Sequence, residues 1–415
     1  MHFQTTEAEA QDDLASFRAC FYNRSGRIYL DGNSLGLLCK QAEEAVLRVL
    51  EQWKTQAIDG WLEAEPPWFF LAEALGRRVA ALVGAEGEEV VVTNSTTVNL
   101  HQLLATFFRP KGRRAKLLTD DLAFPSDSYA FQSQLRLRGL DPEKDLIRIP
   151  SRNGLTLEEG DILPAMTEEV HIAILPSVIY TSGQLLDMAA LTEAAHRRGI
   201  LIGFDCSHSI GCVPLQLDAW DVDFAFWCSY KYLNGGPGAT GGLYLNRRHF
   251  GRLPGLAGWF GSDKERQFDM SPTLQPAWGA GALQIGSPNI LSMAPLLGAL
   301  SLIEEAGLER LRRKSQNLTA YLMALVDAEL AEYGVTIGTP REETRRGGHI
   351  ALVHPEALHL CKALIQAGVI PDYRPPNLIR LAPVALYNTY SDCFEAIQRL
   401  KTILEKRNPN EGENE

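Results

Sequence analysis

The segment FAFWCSYKYLNGGPG (residues 224–238) places Lys231 between a continuous apolar run and a glycine-rich turn. The run 224–227 predicts a short strand buried on both faces, because it is apolar throughout and does not alternate. A lone lysine is normally a solvated surface residue. Aromatic neighbours and a turn that lets backbone approach a ligand closely favour a partly desolvated amine here, which suits Schiff-base chemistry. The segment therefore predicts a ligand site at the end of a buried strand.

Six further runs of the same kind lie along the chain. Together with 224–227 they predict strands at 90–93, 116–119, 146–149, 171–175, 201–205 and 242–245, with helical patterns between them at 98–108, 126–137 and 189–198. Apolar strands that alternate with helices favour a parallel sheet covered on both faces. The predicted fold class is therefore α/β, a large domain with a mainly parallel seven-stranded sheet flanked by helices.

The pattern changes after about residue 253. Gly, Pro and Trp crowd 253–288, a long helical region follows at 290–330, and a further strand is predicted at 349–353. We expect a large domain at 51–290, a smaller α/β C-terminal domain at 291–407, and an N-terminal segment, 1–50, that packs with the small domain. Residues 408–415 have no apolar anchor and are predicted to be disordered.

Composition narrows the class of protein. The chain has 415 residues, a formal net charge of −11 and seven cysteines without a CxxC pair. The acidity argues against nucleic acid or an anionic membrane as the main partner, and the cysteine usage favours a reduced protein without disulfides. The N-terminus lacks the basic start and apolar run of a signal peptide, and the apolar stretch at 290–303 is shorter than the ~20 residues of a membrane span. We expect a cytoplasmic protein.

Ligands of open parallel sheets bind at the carboxyl ends of the strands, so the residues that follow each strand are candidates. Thr96 and Thr97 open a helix after the first strand, where free backbone N–H groups could cradle a phosphate. Phe124 and Asp127 follow the second strand, and the ring of Phe124 could stack on a flat cofactor. Each feature alone is more typical of an ordinary capped helix start.

Asp205 ends the predicted strand 201–205 and is followed by His208. A carboxylate at the end of a buried strand needs a cationic or hydrogen-bonding partner, and a protonated pyridine nitrogen is one such partner. His208 could orient Asp205 or contact the cofactor. A metal site on this pair lacks an obvious third ligand, so no metal is predicted.

The order of these features is that of the aspartate-aminotransferase-like fold of pyridoxal-phosphate enzymes: phosphate cradle, stacking aromatic, strand-end aspartate, then lysine. Local sequences are similar to those of one family within that fold, the kynureninases. The similar motifs are LDGNSLG (30–36), FPSD (124–127), GFD with His208 (203–208), WCSYKYLN (227–234), LAGWFG (256–261) and RLAP (380–383).

The resemblance implies hydrolytic Cβ–Cγ cleavage of L-kynurenine to anthranilate and L-alanine, with 3-hydroxykynurenine left open as a second substrate. It further implies pyridoxal 5'-phosphate as cofactor and a homodimer with the active site at the subunit interface. The reaction would belong to the kynurenine pathway of tryptophan catabolism, which serves NAD biosynthesis.

Site roles follow from the resemblance, motif by motif. Lys231 would carry the cofactor as a Schiff base and act as general base, Asp205 would pair with the pyridine nitrogen, and Phe124 would stack on the ring. Tyr230 would be a catalytic acid or a phosphate ligand. The other implied contacts are Thr96, Thr97, Asp127 and His208 with the cofactor, Trp259 and Ser287 with the phosphate region from the partner subunit, and Arg380 and Asn33 with the substrate. Some relatives have Asn where Ser287 stands.

Three alternatives remain open at this point. Trp61, Trp68 and Phe69 could line an aryl pocket or simply pack in the core. The chain could be another enzyme of the fold, an aminotransferase or a cysteine desulfurase, although Cys361 in a predicted helix is a poor candidate for the mobile nucleophile of a desulfurase. A non-catalytic ligand sensor is a third class, but no basic helix-turn-helix is visible.

Overall fold

The computed structural model describes residues 7, 9–23 and 26–407, so the tail expected to be disordered (408–415) lies outside the described residues. Its strands are β1 (Ile28–Tyr29), β2 (Val90–Val92), β3 (Lys116–Asp120), β4 (Leu146–Ile149), β5 (Val170–Pro176), β6 (Leu201–Asp205), β7 (Phe224–Trp227), β8 (Gly242–Leu245), β9 (Thr336–Ile337), β10 (Ile350–Val353), β11 (Val369–Ile370), β12 (Asp372–Arg374) and β13 (Leu378–Leu381).

The α-helices among the described residues are α1 (Lys40–Gln56), α2 (Gly60–Glu63), α3 (Leu71–Val83), α4 (Thr96–Phe107), α5 (Pro125–Leu137), α6 (Pro142–Asp145), α7 (Glu159–Ala165), α8 (Met188–His196), α9 (Ile290–Ala306), α10 (Leu308–Glu329), α11 (Ala357–Gln366) and α12 (Tyr390–Arg407). Short 3-10 turns occupy much of 247–283 in place of regular elements. That stretch overlaps the one, 253–288, in which Gly, Pro and Trp crowd the sequence.

The large sheet has seven strands in the order β2-β8-β7-β6-β5-β3-β4. Strands β3 to β7 pair in parallel, whereas β8 runs antiparallel to both β7 and β2. All seven are strands that the sequence predicts, within one or two residues at each end. The α/β class with a mainly parallel seven-stranded sheet is therefore confirmed.

A second, smaller sheet lies in the last third of the chain. Its antiparallel order is β12-β13-β10-β9, and β1 near the N-terminus pairs in parallel with β11 beside it. Two hydrophobic clusters accompany the two sheets. The first contains α9 and residues 384–387 together with the large sheet, and the second gathers Ile28 and Leu30 with residues between 318 and 404.

The N-terminal segment contacts both clusters. Phe17 packs in the first, whereas Ile28 packs in the second. A buried ion pair joins Asp12 to Lys314 of α10 at 2.7 Å. The domain boundaries set out above stay predictions.

The helical region predicted at 290–330 consists of two helices. Gly307 separates α9 from α10 with a φ of +76°, a left-handed conformation that favours glycine, and the two axes meet at 81°. No single helix in the described part of the chain is long and apolar enough to cross a membrane, and α9 with α10 meets that test only as this bent pair.

Gly298 allows α9 to cross α1 at close range. A Cβ atom at this position would lie 2.0 Å from the carbonyl oxygen of Gln41. We expect Gly298→Ala to lower the free energy of unfolding by about 2 kcal/mol, because the helices must move apart. Gly160→Ala in α7 is the matched control, since nothing lies within 4 Å of its Cβ position. Equal thermal midpoints for the two variants would contradict this packing.

Candidate active site

One cavity of about 180 Å³ opens at the carboxyl edge of the large sheet. Ten residues that the sequence singles out line it: Asn33, Thr96, Thr97, Phe124, Asp127, Asp205, His208, Tyr230, Lys231 and Arg380. The remaining lining residues are Ser34, Ser126, Pro176, Val178, Tyr180, Ser207 and Arg374. Residues from both ends of the chain and from five strand ends therefore meet at one place.

Lys231 follows β7 in a loop that packs against the N-terminal motif. The backbone N–H of Gly36 donates to the carbonyl oxygen of Tyr230 at 2.7 Å. A Cβ atom on Gly36 would lie 2.5 Å from the carbonyl oxygen of Lys231, so this contact requires glycine. The lysine loop and the motif at 30–36, far apart in sequence, are thus fixed to each other through backbone atoms.

The Lys231 amine contacts a neutral imidazole. Its Nζ lies 2.8 Å from Nε2 of His208. Burial, with the positive charge of Lys231 as the next cause, holds the pKa of His208 well below its usual value. A neutral imidazole nitrogen can accept a hydrogen bond from the lysine amine. The Nδ1 atom of His208 is buried and has no hydrogen-bond partner among the residues described.

Two carboxyl groups face each other in the cavity. Asp205 ends β6, and its Oδ1 accepts a hydrogen bond from the backbone N–H of Ser207 at 2.9 Å. Asp127 lies in the first turn of α5, and burial followed by the charge of Asp205 raises its pKa well above the usual value. Lys231 opposes that rise only in part. A cationic N–H group beside Asp205 would offset the repulsion between the two carboxyl groups.

The first turn of α4 forms another wall of the cavity. Ser95 caps this helix by accepting from the backbone N–H of Val98, and the Thr97 hydroxyl lies 2.6 Å from that of Ser126. Gly241 passes close by, and a Cβ atom there would lie 3.2 Å from the Thr96 nitrogen. Free N–H groups and hydroxyls at a helix start suit a phosphate group.

Arg380 on β13 is almost fully buried, with 1% of its surface exposed. Its Nε donates to Oδ2 of Asp372 at 2.6 Å and its Nη1 donates to the carbonyl oxygen of Tyr180 at 2.6 Å. Its Nη2 donates to Oγ of Ser34 at 3.1 Å. The guanidinium group is thereby held rigidly against the cavity.

Trp259 and Ser287 do not reach this cavity within one chain. They line a separate, mainly apolar cavity of about 510 Å³ together with Ile58, Asp59, Trp61, Leu62, Glu63, Phe69, Phe260 and Phe268. Of the three aromatic residues left open above, Trp61 and Phe69 line this second cavity. Trp68 is buried and packs edge-on against Trp61.

Tyr180 and Arg374 are functional candidates that the sequence reasoning missed. Tyr180 follows the carboxyl end of β5, so the strand-end rule would have found it had it been applied to that strand. Arg374 lies on a three-residue strand, which carries too little periodicity to be predicted.

Comparison with known proteins agrees with the geometry. Residues 311–400 match the family model of the kynureninase C-terminal domain. The chain is 56% identical over 408 residues to a kynureninase of Bacillus cereus, an alignment that covers 98% of this chain and 95% of the relative. It is 54% identical over 407 residues to a kynureninase of Geobacillus thermodenitrificans, with the same coverage. The chain belongs to the kynureninase family.

Membership of this family confirms the enzyme class expected from the sequence and argues against the sensor. Solved structures confirm the fold. A cysteine desulfurase from Thermococcus onnurineus NA1 has a TM-score of 0.80 at 19% identity, covering 94% of this chain and 98% of that one. A cysteine desulfurase of Escherichia coli has a TM-score of 0.76 at 19% identity, with the same coverage. Identities this low show a shared fold and nothing more.

Asp120 at the end of β3 gives a pH prediction. Burial raises its pKa from 3.8 to about 7. Its contribution to stability is therefore full below about pH 4 and lost as the pH rises through 7, because the folded state resists ionisation. We expect Asp120→Asn to gain on the order of 2 kcal/mol relative to wild type between pH 5 and pH 8.

Urea unfolding of both proteins at the two pH values measures this difference. Asp59→Asn, at an exposed aspartate elsewhere in the chain, is the control and should track the wild type. A constant gap between Asp120→Asn and wild type across this pH range would contradict the assignment.

Proposed function

We propose that this chain hydrolyses the Cβ–Cγ bond of L-kynurenine, giving anthranilate and L-alanine, with pyridoxal phosphate bound in the cavity around Lys231. The observation that carries the proposal is the convergence of Lys231, Asp205, the α4 start and Arg380 on one cavity in a kynureninase-family chain. Pyridoxal phosphate, when bound, supplies an electron sink for negative charge that develops next to the substrate amine.

The residues present fit this cofactor. The start of α4 offers N–H groups and hydroxyls from Thr96 and Thr97 to the phosphate. Asp205, which lies beside a second carboxyl group, suits a protonated ring nitrogen. Phe124 is half exposed on the cavity wall, so one face of its ring is free to stack. Lys231 is the attachment point.

Lys231 and His208 handle the proton at the substrate Cα in this proposal. Lys231, once displaced by the substrate amine, takes that proton as general base. The neutral His208 orients the lysine through the contact at 2.8 Å. Addition of water to the side-chain ketone then sets up cleavage of the Cβ–Cγ bond.

Arg380 and Tyr230 complete the proposed machinery. Arg380 holds the α-carboxylate, and Asn33 lies on the same wall as a further substrate contact. Burial raises the pKa of Tyr230 above its usual value, so the phenol stays protonated near neutral pH. A protonated phenol supports both roles left open for it, general acid and phosphate ligand.

The proposal includes a homodimer in which Trp259 and Ser287 act on the partner's cofactor. Trp259, Phe268 and Met270 are exposed side by side near the second cavity, and exposed apolar groups of this kind mark interfaces.

The seven cysteines are all free, which supports a reducing compartment such as the cytoplasm. The reaction would serve the kynurenine pathway of tryptophan catabolism and, through it, NAD biosynthesis.

The rival desulfurase activity has little support. Cys361 is buried in the second hydrophobic cluster, and burial raises its pKa to about 12. A nucleophilic cysteine needs a thiolate and access to substrate. No cysteine lines the cavity in the described part of the chain.

Incubation with L-kynurenine tests the activity directly. We expect anthranilate fluorescence to appear together with an equal amount of L-alanine, and the same assay with 3-hydroxykynurenine ranks the two substrates. Absence of anthranilate, with alanine or sulfide released from another amino acid instead, would overturn the proposal.

Removal of the attachment lysine tests the role of Lys231. Lys231→Ala should lose at least about 1000-fold in kcat, because it removes both the attachment point and the general base. The visible absorbance of the lysine-bound cofactor should vanish with it. Lys144→Ala, on a lysine that is 80% exposed, should retain wild-type activity and colour. An unchanged visible spectrum in Lys231→Ala would identify another lysine as the attachment point.

Subunit mixing tests the role of Trp259 in the partner's site. Lys231→Ala and Trp259→Ala should each be impaired alone. Heterodimers of the two contain one site with both native residues if Trp259 acts across the interface, so mixing should restore about a quarter of wild-type activity. A mixture no more active than the average of its components would show that Trp259 does not act across the interface.

A further inference from the structure

Strands β12 and β13 place three charged residues on one face of the small sheet. Asp372 lies directly opposite Arg380 in the antiparallel register. Arg374 is two residues further along β12, and side chains two residues apart in a strand point to the same face. Arg374 and Arg380 both line the cavity described above.

The donors of Arg380 are almost all taken by the protein. A guanidinium group has five N–H bonds. Those of Arg380 serve the carbonyl oxygen of Tyr180, the hydroxyl of Ser34 and, from both Nε and Nη2, the carboxylate of Asp372. One N–H remains, on Nη1. A two-point grip on a carboxylate by Arg380 alone would therefore break one of its existing hydrogen bonds.

Arg374 is held in place by Asp372 but keeps free hydrogen-bond donors. Its Nε donates to the same Oδ2 atom of Asp372 at 2.9 Å, which brings the two guanidinium groups close together. Its guanidinium carbon lies 5.9 Å above the ring of Tyr180. Within residues 7, 9–23 and 26–407, no hydrogen bond or ion pair involves the Nη1 or Nη2 atoms of Arg374.

Arg374 lies close to the substrate region, because it lines the cavity beside Tyr180. The ring of Tyr180 meets that of Phe124 edge to face, with centroids 5.3 Å apart. Phe124 is the residue proposed to stack on the cofactor ring. Arg374 therefore lies one aromatic ring away from that position, on the same wall as Arg380.

We propose that Arg374 is a second carboxylate-binding residue, whose two terminal nitrogens hold the substrate α-carboxylate together with Arg380. Asp372 is the positioning residue that sets both guanidinium groups. The inference rests on the proposed function, because it names a further contact of the same substrate. The carboxylate takes two new hydrogen bonds from Arg374 and leaves the bonds between Arg380 and the protein intact.

Steady-state kinetics of Arg374→Gln test this contact. We expect KM for L-kynurenine to rise about 10- to 100-fold with a much smaller change in kcat, since charge-assisted hydrogen bonds to the bound substrate are lost. Arg374→Lys should recover part of the loss, because it keeps the charge without the fork. Arg78→Gln is the matched control: Arg78 is ion-paired to Glu304, lies away from the cavity and is similarly exposed, 29% against 32%.

An analogue without the carboxylate separates a direct contact from a general disturbance of the site. Decarboxylated kynurenine, used as an inhibitor, should bind wild type and Arg374→Gln equally well. Equal weakening of this analogue and of kynurenine would overturn the proposal. So would an unchanged KM for kynurenine.

The double variant Arg374→Gln/Asp372→Asn excludes an effect through Asp372 alone. A direct contact predicts a higher KM for the double variant than for Asp372→Asn, whereas equal values contradict it.

Failure of the proposed function is distinguishable throughout, since the wild type would then release no anthranilate. If the wild type turns over L-kynurenine and the KM of Arg374→Gln is unchanged, only the proposed role of Arg374 is contradicted.

Discussion

The parallel pairing of β6 with β7 is the constraint on which the site depends. It aligns Asp205 with Phe226, so that the loops following both strands leave the sheet at the same edge. Gly203 makes this pairing possible, because a Cβ atom there would lie 2.0 Å from the ring of its cross-strand neighbour Phe224. The strand-end carboxylate and Lys231 are brought into one cavity by this register, although 25 residues separate them in the chain.

Electrostatics in the cavity follows from burial. His208 is kept neutral and Asp127 is pushed toward its protonated form, whereas the guanidinium groups of Arg374 and Arg380 both donate to the carboxylate of Asp372. Buried groups of this kind cost stability unless a ligand completes their hydrogen bonds. The cavity therefore has the character of a site prepared for a polar, charged ligand, and its polarity matches a phosphate, a ring cation and a carboxylate.

The sequence was sufficient to predict the large sheet and most of the residues that line the cavity. Strands buried on both faces are continuous apolar runs, and the strand-end rule then selects Thr96, Phe124, Asp205 and Lys231. Arg374 was not predicted, because its position depends on the register of β12 with β13. These are two short strands whose pairing no local sequence pattern reveals. Trp259 and Ser287 lie outside the cavity of a single chain for another reason, since their proposed role needs a second copy of the chain. The helical region at 290–330 changes direction at one glycine, Gly307, which periodicity alone does not mark as a bend.

Borohydride reduction of the cofactor-loaded enzyme, followed by peptide mapping, tests the central claim most directly. Reduction fixes the cofactor to the lysine that carries it. The account predicts a single modified peptide, labelled on Lys231. Lys264 is the informative competitor, because it is half buried over the rings of Phe69 and Phe260 and burial lowers its pKa. A label on Lys264, or on any lysine other than Lys231, would contradict the account.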